Sequence, residues 1–91
     1  MSAEPENNVL EPEVLLEHVV RSLVDFPDQV RISSMIGDSI VVFEVHVAEE
    51  DVGRVLGKRG MYPEAMRCLF GAIFSKRGKR LQLQVVENHR R

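Results

Sequence analysis

The stretch "VGRVLGKRGMY", residues 52–62, decides how the rest of the chain is read. It is an apolar run broken by glycines, with Lys58 and Arg59 side by side between Gly57 and Gly60. Glycine opens backbone angles closed to other residues, whereas two adjacent cations repel one another. Such a corner is either a solvated turn between two helices or a grip for something negative. The flanking sequence has to separate the two.

Upstream, "PEVLLEHVVRSLV" from Pro12 to Val24 sets Leu16, Val19, Val20 and Leu23 on one helical face. Pro12 suits a first turn, and Glu11, Glu13 and Glu17 suit the positive end of the helix dipole. The residue before Pro27 is pushed out of helical angles, so "DFPDQ" ends the helix. Val30 to Ile36 reads as a strand, Gly37-Asp38 as a two-residue hairpin turn, and "SIVVFEVHV" as a second strand. In that strand Val41, Phe43, Val45 and Val47 share a face opposite Glu44 and His46.

"EEDVGRVLG" is a short helix stopped by Gly57, whose left-handed backbone would end it. A further helix runs from about Pro63 to Lys76, with Met66, Leu69, Phe70, Ile73 and Phe74 as its apolar positions. "SKRGKR" is a basic turn, and "LQLQV" an alternating strand. The order is α-β-β-α-α-β. A two-helix crossover between the last two strands is right-handed and leaves them parallel. The chain is therefore expected to be an α+β domain, a three-stranded mixed sheet with three helices on one face. Residues 1–9 read as a disordered tail, 10–87 as the domain and 88–91 as a short polar end.

Ninety-one residues at 44% apolar and 29% charged suit one globular domain. The lone Cys68 cannot pair within the chain, which fits a reducing compartment, and its apolar neighbourhood places it in the core. No stretch resembles a signal peptide or a bilayer-spanning segment, so the cytoplasm is expected. The net charge of −2 hides an asymmetry: residues 1–51 hold 12 acidic and 2 basic side chains, residues 52–91 hold 2 and 10. A balance of −10 followed by +8 is the footprint of a face for a polyanion, although a basic half that is merely solvated fits the same count.

Neither glycine-rich nucleotide motif fits the corner. A P-loop has four residues between its glycines, then Lys and Ser or Thr, and follows a strand; here three residues separate Gly53 from Gly57, Arg59 follows Lys58, and a helix precedes. The dinucleotide fingerprint fails on spacing and context. A GxxG between two helices is different. Gly60 leaves room for a phosphodiester, the next helix aims its N–H groups at the same spot, and Lys58 and Arg59 add charge-assisted contacts.

"VLGKRG" within a strand–helix–GxxG–helix–strand core resembles the KH domain, and the N-terminal helix and strand resemble its type II arrangement. "LVDFPDQVRI", "VAEEDVGRVLGKRG" and "GKRLQLQVVE" are similar to the small bacterial single-KH proteins of the KhpA family, over residues 9 to 87. The resemblance implies binding of single-stranded RNA, with GxxG clamping about four nucleotides of backbone beside a narrow apolar groove. Gly57, Lys58, Arg59 and Gly60 would form the clamp; Val52, Arg54, Val55 and Leu56 the helix side; Leu81 to Val85 the opposite wall; and Lys76, Arg77, Lys79 and Arg80 a second basic segment along the groove. It also implies pairing with a second copy or with a larger KH-containing protein. The family usually carries an aliphatic residue where this chain has Pro63, which alters the groove floor. Tyr62 fits equally a ring over the helix start and a contact to a base.

Other chemistry has little footing. His18, His46 and His89 show no ligand spacing, and no cofactor is implied. No paired acid and base or activated nucleophile stands out, so an enzyme is not expected. "KRGKR" as a nuclear signal and Gly53/Gly57 as a membrane helix-pairing motif are weaker than the groove reading, since Arg54 lies inside the latter. The rival is a protein-interaction module whose working surface is the first helix or the acidic half.

Overall fold

The computed structural model describes residues 11–88; the expected tails, 1–9 and most of 88–91, lie outside them. Helix α1 spans Pro12–Leu23, strands β1 Arg31–Ile36 and β2 Ile40–Val47, helices α2 Val52–Leu56 and α3 Met61–Ser75, and strand β3 Arg80–Glu87. Single 3-10 turns occupy Pro27–Gln29 and Glu49–Asp51, and a tight turn spans Lys58–Gly60. The sheet order is β1-β2-β3, with β1 antiparallel and β3 parallel to the central strand. This is the α+β order and mixed sheet expected from the sequence.

The core lies between one face of the sheet and the helices. Val41, Phe43, Val45 and Val47 of β2 are all buried, and the intervening residues are only half-buried. Leu16 and Val20 of α1, Val55 of α2, and Met66, Phe70 and Phe74 of α3 close over that row. Phe43 and Phe74 meet edge to face, ring centroids 5.7 Å apart, a contact worth about 1 kcal/mol beyond the area it buries. Polar ties fix the periphery. Ser34 Oγ donates to Glu13 Oε1 at 2.9 Å, holding α1 to β1, and Asn88 Nδ2 donates to Gln29 O at 2.9 Å, holding the end of β3 to the turn after α1.

Several expectations shift. The hairpin turn falls one residue later: Gly37 N–H donates to Ile40 O, leaving Asp38 and Ser39 as its two loop residues. None of the three has a positive φ, so the glycine is not required for a mirror-image turn. Helix α3 begins two residues before Pro63, which becomes its buried third position, and β3 extends over eight residues. Leu69 and Cys68 are corrections. Cys68 is exposed, and Leu69 is 59% exposed. The stripe that α3 buries runs through Pro63, Met66, Phe70 and Phe74, and residues 68 and 69 fall to either side of it.

Candidate nucleic-acid interface

The corner between α2 and α3 is a sharp, glycine-dependent turn. Gly57 ends α2 at φ 64, ψ −164, a positive-φ extended region populated almost only by glycine rather than the left-handed helical angles expected. Arg59 at φ 58, ψ 31 and Gly60 at φ 72, ψ 24 are the two central residues of a type I′ turn, closed by Met61 N–H donating to Lys58 O. A side chain on Gly57 would meet the Tyr62 ring, its Cβ 2.8 Å from a ring carbon, whereas nothing lies within 4 Å of a Cβ built on Gly60. The Tyr62 ring thus packs against Gly57 at the end of α2 while 39% of the residue stays exposed, and the corner is open at Gly60.

Arg59 is the only non-glycine residue with positive φ among the described residues. That conformation costs an L residue about 1–2 kcal/mol, and the sequence offered no sign of it. Holding an arginine there projects its side chain off the tip of the corner. Lys58 and Arg59 are both exposed, and neither is among the ion pairs of the described residues. The two cations therefore remain available to an anion. The main-chain donors at the head of α3 are fewer than expected, because Pro63 has no N–H and that of Met61 closes the turn.

The other expected site residues divide. Leu56 and Val52 lie on α2 with part of their surface open, but Val55 is fully buried. It belongs to the core beneath the wall, because the short α2 must turn one residue per turn inward to anchor itself. Arg54 is on the surface but paired, its Nε 2.9 Å from Asp25 Oδ2. In the second basic segment, Lys79 Nζ donates to the carbonyls of Gly37 at 2.6 Å and Asp38 at 3.1 Å, and so braces the β1–β2 hairpin. Arg77 stacks its guanidinium 5.5 Å from the Phe74 ring centre. Lys76 and Arg80 are exposed. This segment sits at the far end of α3 from the corner, about 22 Å away along 15 helical residues. The two basic clusters bracket the helix rather than adjoin.

Residues that the sequence did not single out complete the surface. Met61 and Glu64 line an open depression with Lys58, Arg59 and Gly60, and Arg67 follows one turn later on the same flank of α3. Arg67 reaches Leu83 O of β3 with Nε at 3.2 Å and a terminal nitrogen at 3.0 Å. Leu81 and Val85 are half-buried and Leu83 buried, so β3 faces this flank mainly through its main chain. On the opposite flank, Val19 and Leu23 of α1 with Tyr62, Ala65 and Leu69 of α3 line an apolar hollow of about 240 Å³. Among the described residues no group of three His, Cys, Asp or Glu side chains comes together as a metal site, and no helix is long and apolar enough to cross a membrane.

Comparison with known proteins places this geometry in context. The model of the KhpA/KhpB KH domain matches residues 13–85. Three similar proteins each bear the name RNA-binding protein KhpA. That of Clostridium acetobutylicum is 39% identical over 72 residues, 79% of this chain and 96% of the relative. That of Borreliella burgdorferi is 37% identical over 73 residues, 80% of this chain and 89% of the relative. That of Listeria monocytogenes is 37% identical over 75 residues, 82% and 99% of the two chains.

Proposed function

Since the chain belongs to the KhpA/KhpB family of KH domains, we propose that it is a non-enzymatic RNA-binding protein that clamps single-stranded RNA at Gly57–Gly60. The observation that carries this reading is the exposed charge of Lys58 and Arg59, outside every ion pair of the described residues, on a corner kept bare by Gly60. The phosphate backbone lies against that corner, with Leu56 and Val52 on one side and β3 on the other. Lys76 and Arg80 meet the strand only where it continues along α3. A protein that holds a few nucleotides in this way acts as a post-transcriptional regulator or RNA chaperone rather than as a catalyst.

Salt dependence tests the clamp. Binding of a ten-nucleotide single-stranded RNA should fall steeply with salt, with a log–log slope of about −1.5 to −3, given ~0.7 per phosphate neutralised and two to four contacts. The measurement is a fluorescence-anisotropy titration at several salt concentrations. A folded protein with no RNA binding at low salt, or with a flat salt response, removes the reading in favour of a protein-interaction module.

The apolar hollow between α1 and α3 favours an addition to this reading. Leu69 and Tyr62, which line it with Val19, Leu23 and Ala65, stand 59% and 39% exposed, a contiguous apolar face of the kind that marks an interaction site. A second copy, or a larger KH-containing protein, covers this face and joins two weak RNA sites into one stronger one. Light scattering should give a mass of two chains, and Leu69→Glu, at a position already open to water, should return one folded chain, its unfolding midpoint lower only by the stabilisation that pairing adds. A wild-type mass of one chain at all concentrations tested would refute self-pairing.

A further inference from the structure

Strand β3 is an edge of the sheet, and its main chain divides by parity. Arg80 N–H donates to Ser39 O and Asn88 N–H to Val47 O, so the even-numbered residues turn their main-chain groups towards β2. The odd-numbered Leu81, Leu83 and Val85 therefore turn theirs to the open side. Of these, the Leu83 carbonyl is taken by Arg67 through Nε and one terminal nitrogen. An arginine carries five N–H groups in a rigid plane. Using one side of that plane on Leu83 leaves the end-on fork, one N–H on each terminal nitrogen. Among the described residues Arg67 makes no other side-chain hydrogen bond and no ion pair.

The position of that fork gives it a use. Arg67 lies two turns beyond Gly60, about 10 Å along α3, on the flank that carries Met61 and Glu64 of the corner depression. A strand whose phosphates sit at Lys58 and Arg59 directs its bases along this flank to the β3 edge. Resting on the RNA-binding reading above, we propose that Arg67 is the residue that selects the base, its fork accepting one that presents two adjacent hydrogen-bond acceptors. Cytosine does so with N3 and O2, and guanine with O6 and N7. Adenine sets an amino donor beside each acceptor on its pairing edges, and uracil sets its N3–H between two carbonyls, so each leaves one prong of the fork facing a donor or nothing. The hold on Leu83 makes the selection sharp, because an arginine pinned along one side cannot swing to accommodate the wrong base.

The probe is a ten-nucleotide oligouridine carrying a single C, G or A near its centre; the strand slides to bring that base to the reading position. The wild-type protein should bind the C or G version about tenfold tighter than the A version or plain oligouridine. A gain from C alone identifies the N3/O2 pair, and a gain from G alone the O6/N7 pair. Arg67→Lys keeps a cation and a donor for Leu83 but loses the fork. It should unfold at the same temperature and show no preference among the four strands. Equal binding of all four by the wild type, or a preference that survives in Arg67→Lys, overturns the proposal while leaving the clamp in place. Failure of the folded wild type to bind any strand at low salt overturns both. A merely structural arginine would lower the unfolding midpoint on replacement without altering relative affinities.

Discussion

Replacing Lys58 and Arg59 together by aspartate is expected to weaken RNA binding at least ~100-fold, since two charge-assisted phosphate contacts at about 1.5–3 kcal/mol each are lost and repulsion replaces them. The unfolding midpoint should stay within about 2 °C of wild type, because exposed side chains without partners contribute little to stability. Both residues are exposed and outside every ion pair of the described residues. Position 59 even favours the change, since Arg59 sits at φ 58 and aspartate tolerates the left-handed region better than arginine. Anisotropy titration and thermal melting of the same preparation check the two halves. Unaltered binding would take the corner out of the mechanism, and a collapsed midpoint would mean the cations hold the turn together rather than wait for a ligand.

The sequence carried the fold further than the site, and the reason differs from residue to residue. Helix α1 and strand β2 announce themselves because each buries a single periodic stripe, Leu16 with Val20 and Val41 to Val47. The parallel pairing of β3 follows from handedness alone once two helices are seen between the strands. Helix α3 was harder because three of its flanks carry apolar residues, and only the sheet's position tells which is buried. Leu69 and Phe70 are neighbours in sequence, yet one is 59% exposed and the other fully enclosed.

At the site, Gly57, Lys58, Arg59 and Gly60 were legible as a local pattern. The torsion of Arg59 was not, because a positive φ at arginine runs against its own preference. Arg67 and Lys79 act on partners 16 and 42 residues away, and no local spacing encodes such contacts. Val55 failed for a related reason: a helix of five residues has few positions with which to anchor itself, and anchoring took one that the groove reading had assigned to the surface.

Anchoring of α2 is also the source of the largest expected stability effect, at Asp51. Its side chain is fully buried, with Oδ1 accepting the N–H of Asp25 at 3.0 Å and Oδ2 the N–H of Phe26 at 2.9 Å. Asp51 immediately precedes α2, whereas Asp25 and Phe26 follow α1, so one carboxylate joins the end of the first helix to the start of the second. Asp51→Ala strands both N–H groups and leaves a gap. The cost should be about 3 kcal/mol, lowering the midpoint by roughly 15 °C in a domain of this size. The nearby Arg54–Asp25 pair, with both side chains about 60% exposed, serves as the control: Arg54→Ala should cost at most about 1 kcal/mol. Hydrogen exchange adds a local readout, because releasing α2 should speed exchange of the Val55, Leu56 and Gly57 amides before the sheet is affected. The α2–α3 corner would then lose its fixed shape, and RNA affinity should fall even below the melting range. Equal midpoints for Asp51→Ala and wild type would mean that packing of Val55 alone holds α2, and that the buried carboxylate has no part in presenting the corner.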